Sequence, residues 1–167
     1  MSANTDSFKF IDCGVLSDGE IEVVVREKRP APEKKGYLPA YEFDIRLPGK
    51  PDPIGRVGLR IGNTNHVIMY GGHIGYGIDE QYRGNRYAAK ACNLIKSVAT
   101  AHGLKTLWIT CNPDNIPSRR TCEILGCKLV EIIDLPENTS MYRDGERQTC
   151  RYRWDLEDND GMSEIIP

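Results

Sequence analysis

The sequence predicts a single α/β domain, a mixed and mostly antiparallel sheet with flanking helices, and three observations lead to it. The 167 residues are 40% hydrophobic and 28% charged, which suits one domain with a core of its own. The first half is a series of short β-rich runs separated by Pro/Gly turns. The second half alternates strand, helix, strand, helix, strand, and that alternation implies a parallel crossover joined to the antiparallel half.

Taken in order, residues 20–25 (EIEVVV) form a short strand, and residues 26–36 (REKRPAPEKKG) a Pro/Lys loop. Residues 41–47 (YEFDIRL) alternate apolar with charged side chains, as a half-buried strand does. A turn at 48–53 (PGKPDP) leads to a strand at 54–61 (IGRVGLRI), whose glycines suggest close backbone approach. Residues 74–78 make a short strand. After Gly84, the residues Tyr87, Ala88, Ala91, Cys92, Ile95, Val98 and Ala99 share one helical face, and Gly103 follows as a stop. Residues 104–110 (LKTLWIT) read as a buried strand. Asn115 caps a second helix that Gly126 ends. Strands at 127–135 and 149–156 enclose a polar hairpin at 136–149 (PENTSMYRDGERQT). The domain is expected over 1–156, with an acidic, flexible tail at 157–167.

A net charge of −2 offers no global attraction to nucleic acid or to anionic membranes. The six cysteines (Cys13, Cys92, Cys111, Cys122, Cys127, Cys150) contain no CxxC pair and have no His at ligand spacing, so no metal is expected. The start MSANTDSFKF lacks the basic and apolar regions of a signal peptide. No apolar run approaches the roughly 18 residues that span a bilayer. The expectation is a reduced, cytoplasmic protein with neither nucleic-acid nor membrane partners.

Two stretches carry chemistry. QYRGNRYA (81–88) follows a strand and opens a long helix. The first turn of a helix has four N–H groups without partners, and with the dipole they favour an anion, above all a phosphate. Gly84 allows a tight turn, and Arg83 and Arg86 add forked donors where cations would otherwise oppose the dipole. NPDNIPS (112–118) places Asn115 where it can cap the next helix or offer its amide to a ligand beside the strand end.

In this order the two stretches resemble the GNAT family of acyl-CoA-dependent N-acyltransferases. The family's Q/R-x-x-G-x-G/A signature aligns with Arg83, Arg86 and Ala88, and its N-x-x-S/A with Asn115 and Ser118. GGHIGYGIDEQYRGNRYA is similar to the E-I-G-Y-W-I…R-G-K-G-Y-A form of one branch. The resemblance implies the GNAT fold, whose central parallel strands splay so that pantetheine lies in the notch and pairs with backbone near Ile78. It implies acetyl-CoA as co-substrate, with pyrophosphate on the segment Gly84, Asn85, Arg86, Tyr87 and Ala88 beside Arg83. Asn115 and Ser118 would line the pantetheine arm.

Three departures bear on catalysis. Arg86 replaces the inner glycine. Cys122 stands where the family often has a Tyr that protonates the thiolate, so a thiol is the candidate acid. The region between the first two strands is short, where the family usually has two helices over the acceptor. That side is then either more open or closed by a second copy in a homodimer. His73 aligns with the Glu of E-I-G-Y-W-I and is the candidate base, its ordinary pKa suiting neutral pH. Glu42 and Tyr142 are candidates for contact with the acceptor. The expected activity is acetyl transfer from acetyl-CoA to the amine of a small molecule or peptide, by direct attack in a ternary complex. A non-catalytic acyl-CoA sensor is the alternative.

Overall fold

The computed structural model describes residues 8–32 and 37–156. The expected tail at 157–167 lies outside them, as does part of the Pro/Lys loop.

Five strands make an antiparallel meander: β1 (Val15–Ser17), β2 (Glu22–Arg29), β3 (Ala40–Arg46), β4 (Pro53–Arg60) and β5 (Ile74–Ile78), in that spatial order. The alternation expected of residues 41–47 sorts the two faces. Tyr41, Phe43 and Ile45 are fully buried, and the register sets Phe43 opposite Val57 and Tyr41 opposite Leu59. Glu42, Asp44 and Arg46 point to the other face, where Arg29 pairs with Glu42 at 3.3 Å, Arg26 with Asp44 at 3.4 Å and Arg46 with Glu22 at 3.2 Å. Among the described residues no helix lies between β1 and β4, and the one helical turn in the meander, a π-helix at Val67–Gly71, comes between β4 and β5. The close approach expected at the β4 glycines is real at Gly55, where a Cβ would stand 2.5 Å from the Gly77 carbonyl oxygen.

Helix α1 (Tyr87–Ala101) packs on the apolar face and buries Ala89, Ala91, Cys92, Ile95, Val98 and Ala99. Four of those six are Ala or Cys, and their small side chains let the helix axis approach the sheet. The chain then forms β6 (Thr106–Cys111), α2 (Ile116–Leu125), β7 (Lys128–Asp134), a single-turn α3 (Ser140–Arg143) and β8 (Gln148–Asp155). Asn115 caps α2, its Oδ1 accepting the Ser118 N–H at 3.2 Å, and Gly126 ends it in the left-handed region at φ 83°. The second sheet is antiparallel in the order β6-β8-β7 and sets Leu107 against Trp154. No helix of the described residues is long and apolar enough to cross a membrane.

Three features depart from the sequence expectation. β1 is only three residues long and its run VLS has no strong alternation. β2 continues to Arg29, into the stretch expected to be loop, because its charged residues ladder against Ala40–Glu42. The polar hairpin contains α3, whose first turn is capped by Thr139 through the Tyr142 N–H at 3.2 Å.

The two sheets meet at one place. The His73 N–H donates to the Trp108 carbonyl at 2.7 Å, and the Trp108 N–H donates to His73 Nδ1 at 2.9 Å. Beyond that clasp β5 and β6 share no ladder. They diverge, and a cavity of about 950 Å³ opens between Ile74–Ile78 on one side and residues 109–112 on the other.

Candidate active site

The notch is built first from backbone. Arg60 N–H donates to the His73 carbonyl and Asp79 N–H to the Ile54 carbonyl. An antiparallel ladder alternates inward- and outward-facing backbone groups. The N–H and C=O groups of Ile74, Tyr76 and Ile78 therefore face the notch, while those of Gly75 and Gly77 face β4. An extended ligand arm can add to this edge as a further strand does.

At its outer end the notch reaches the start of α1. Gly84 lies at φ 91°, and Arg86 at φ 63°, ψ 24°. Arg86 is the one non-glycine with positive φ among the described residues. It therefore keeps the backbone shape that glycine would supply, at a cost of about 1 kcal/mol. Its exposed side chain lines the cavity with Gly84, Tyr87 and Ala88. The first turn of α1 holds no acidic residue. Arg83 lines the cavity too, and its Nε donates to the Ile78 carbonyl at 2.8 Å, which commits that carbonyl. Asn85 turns back instead, its amide donating to the Tyr82 carbonyl at 3.0 Å. Arg120 adds a third guanidinium to the wall, whereas the neighbouring Arg119 is held by the Tyr152 hydroxyl at 3.0 Å. Three guanidinia and a helix start give this end the positive charge and N–H donors that an anion such as a phosphate would need.

The opposite wall is the start of α2, where Asn115 and Ser118 line the cavity. Tyr76 crosses from β5 to meet them. Its hydroxyl lies 2.8 Å from Ser118 Oγ and 4.0 Å from Cys122 Sγ. The register opposite Val57 aims it at α2.

The two expected catalytic residues do not reach the notch. His73 is 1% exposed and serves the clasp. Because the Trp108 N–H can only donate, Nδ1 must be unprotonated, so Nε2 carries the hydrogen and offers it to the Gly62 carbonyl at 2.9 Å and Asn63 Oδ1 at 3.1 Å. Burial pushes its pKa below the usual histidine range. The ring's one lone pair is spent on Trp108, and His73 has none for an amine. Cys122 is fully buried beneath Tyr76 and Ser118 and lies outside the cavity wall. The neighbouring Cys127, then burial, hold its thiol far above the usual range. The sequence could not show either fact, since each depends on a partner brought over it by the fold.

Glu42 lies across Gly58, where a Cβ would meet Oε1 at 2.9 Å, and lines a second cavity of about 280 Å³ on the open face. Gly71, Ile74, Gly75, Tyr76 and Gly77 border both cavities. Added Cβ atoms at Gly75 and Gly77 would meet nothing within 4 Å, so the floor between the cavities is clear. Tyr142 lines neither cavity; the Arg147 guanidinium covers its ring at 3.8 Å. Its neighbour in the hairpin, Glu146, does line the notch and is the only carboxylate in the wall among the described residues. A lone acid in a polar hairpin carries no sequence signal.

A family model described as an acetyltransferase (GNAT) domain matches residues 9–128. The chain belongs to this family. Solved GNAT structures share its fold at low identity. A probable GNAT acetyltransferase from Chromobacterium violaceum aligns with TM-score 0.65 and 12% identity over 96% of this chain and 95% of that one. The microcin self-immunity acetyltransferase MccE, in complex with acetyl-CoA and AMP, aligns with TM-score 0.54 and 20% identity over 70% of this chain and 61% of its own. An acetyltransferase from Salmonella typhimurium that modifies the N-terminal serine of a ribosomal subunit protein aligns with TM-score 0.54 and 17% identity, over 70% and 63%. The GNAT chain described here thus spans less than two thirds of the latter two proteins. No curated protein sequence matches it.

Proposed function

We propose that this GNAT chain is an N-acetyltransferase that moves the acetyl group of acetyl-CoA to a primary amine by direct attack in a ternary complex. The observation that carries the reading is the continuity of one notch: a backbone edge at Ile74, Tyr76 and Ile78 that ends in the Arg83, Arg86 and Arg120 cradle. Pantetheine amides suit the edge and the CoA phosphates suit the cradle. MccE, which shares the fold, was solved with acetyl-CoA bound.

A strand N–H at the notch edge would stabilise the oxygen of the thioester as it gains charge. The amine would arrive from the open face, over Gly75 and Gly77, and pass Glu42. Glu146, which lines the notch, would hold it as a cation and accept its proton. Direct attack is favoured over an acyl-cysteine because the one thiol in the wall, Cys111, is pushed by burial up to about 12. A nucleophilic cysteine needs the opposite shift. The acceptor is a small-molecule or peptide amine, used in the cytoplasm. The Salmonella relative's N-terminal serine is one such amine.

Thermal unfolding with acetyl-CoA, followed by thiol release against a panel of amines, tests the reading. Ligand at a hundred times its Kd should add about 2.7 kcal/mol of stability. Turnover on an amine supports the enzyme. Tight binding without turnover on any amine would make the chain an acyl-CoA sensor, and no thermal shift at millimolar ligand would remove both readings.

A further inference from the structure

We infer that the acceptor is a small amine that also carries a carboxylate, and that Arg60 binds this carboxylate, an assignment that rests on the acetyl-transfer reading above and narrows its acceptor. The charged face of the meander carries its charges in cross-strand pairs, and the pairing stops at Arg60. β3 sets Asp44 opposite Arg56 but Ala40 opposite Arg60. Arg56 Nε lies 3.7 Å from Asp44 Oδ1, and Glu42 Oε2 lies 3.3 Å from Arg29. Glu42, Arg56 and Arg60 are the charged side chains that line the second cavity. Arg60 is the one of the three without an ion pair among the described residues. His73, in the same lining, is neutral, as its bond from the Trp108 N–H requires. The cavity therefore holds a positive charge that no side chain balances.

Arg60 is also held in place. Its Nη1 donates to the Gly72 carbonyl at 3.2 Å, and a Cβ on Gly71 would stand 2.7 Å from the same nitrogen. The guanidinium thus lies against glycine backbone that has no side chain to displace it. His66 Nε2 reaches the same point, at 3.2 Å. Two nitrogen groups flank Gly71, and Gly71 borders both cavities. The bond to Gly72 leaves the other N–H donors of the fork for a bidentate pair with a carboxylate.

The floor leads from this anchor to the notch. Gly58 lies opposite Gly75, and Gly75 and Gly77 have open space above them. An amine anchored through Arg60 would lie over this floor, beside the β5 edge that the proposed function gives to acetyl-CoA. A cavity of about 280 Å³ suits a small molecule. The carboxylate takes no part in the transfer. The amine nitrogen bonds the acetyl carbon, the C–S bond breaks with its electron pair on sulfur, and the proton that nitrogen loses balances the one that sulfur gains.

The test compares each amino acid of a panel with its own carboxamide, which keeps the skeleton and removes the charge. With wild type and acetyl-CoA, at least one amino acid should exceed its amide in kcat/KM by about tenfold or more. The amide has the more easily deprotonated amine, so amine reactivity alone would give the opposite order. In Arg60→Gln the ratio should fall to near one, through the KM of the amino acid. Arg60→Lys keeps the charge without the fork and should give a ratio below that of wild type, which serves if the glutamine variant does not fold. Amides used as well as the acids or better, or a ratio that either variant leaves unchanged, would overturn the assignment while leaving acetyl transfer intact. A wild type with no turnover on any amine, neutral ones included, would instead defeat the acetyl-transfer reading, and this one with it.

Discussion

Trp108 is held by His73 at two points, its carbonyl by the His73 N–H at 2.7 Å and its N–H by the His73 ring at 2.9 Å. These bonds tie β5 to β6 where the notch begins. Replacing His73 by Ala leaves the Trp108 N–H without its acceptor and opens a void among fully buried neighbours. We expect a loss of about 3 kcal/mol, read by chemical denaturation. A stability equal to wild type would show that the clasp is dispensable.

The same ring sets a pH dependence. Burial lowers the folded pKa of His73 below its ordinary value of about 6.5. Below about pH 6.5 the unfolded chain therefore binds a proton that the folded chain refuses. The stability due to neutral His73 is complete above that pH and declines as pH falls toward the folded value. His102 is shifted the same way by burial and contributes its own slope. Denaturation midpoints between about pH 7.5 and 5.5 should therefore fall more steeply for wild type than for His73→Ala. Parallel curves would refute this.

Arg86 combines a backbone shape that favours glycine with a guanidinium that lines the cavity. Arg86→Gly should relieve the strain and leave folding stability unchanged or higher by up to about 1 kcal/mol. It should also weaken acetyl-CoA binding severalfold, by removing one charged donor to phosphate. Calorimetric titration and thermal unfolding separate the two effects. A variant that loses stability would show that the turn depends on the side chain.

Glu146 is the one acidic side chain that lines the notch among the described residues. Glu146→Gln should lower kcat/KM for the amine about tenfold or more, with the KM for acetyl-CoA and the melting temperature unmoved. Equal kinetics at every amine concentration would exclude Glu146 from the acceptor side.

Asn115 caps α2 through Ser118, the residue that also holds Tyr76. Asn115→Ala should cost about 1 kcal/mol and loosen the wall that Ser118 belongs to, so kcat should fall along with stability. A stability loss without a kinetic effect would show that Ser118 keeps its place without the cap.

Much of the fold was legible because local chemistry decides it. The alternation through Tyr41, Phe43 and Ile45 assigned a face to every residue of β3, and Asn115 and Gly126 marked both ends of α2. The turn before α1 and the cap of α2 were legible for the same reason: Gly84, Arg86, Asn115 and Ser118 act through turns and caps a few residues long. The partners of the other candidate residues were not. The lone pair of His73 is consumed by a residue 35 positions away. Cys122 is covered by a tyrosine 46 positions before it in the chain. Glu146 enters the wall through a hairpin fold. Each of these depends on a long-range juxtaposition, and residue type and spacing carry no trace of it.

The strand order of the second sheet has a consequence for the timing of assembly. β8 is the last strand in the chain, yet it lies between β6 and β7 and provides the ladder partners of both. During synthesis β6 and β7 emerge with no template to join them, while the five-stranded meander and α1 can already pack. The notch therefore cannot acquire its second wall until Asp155 has left the ribosome. A nascent chain stalled before β8 should hold an intact first sheet and bind no acetyl-CoA.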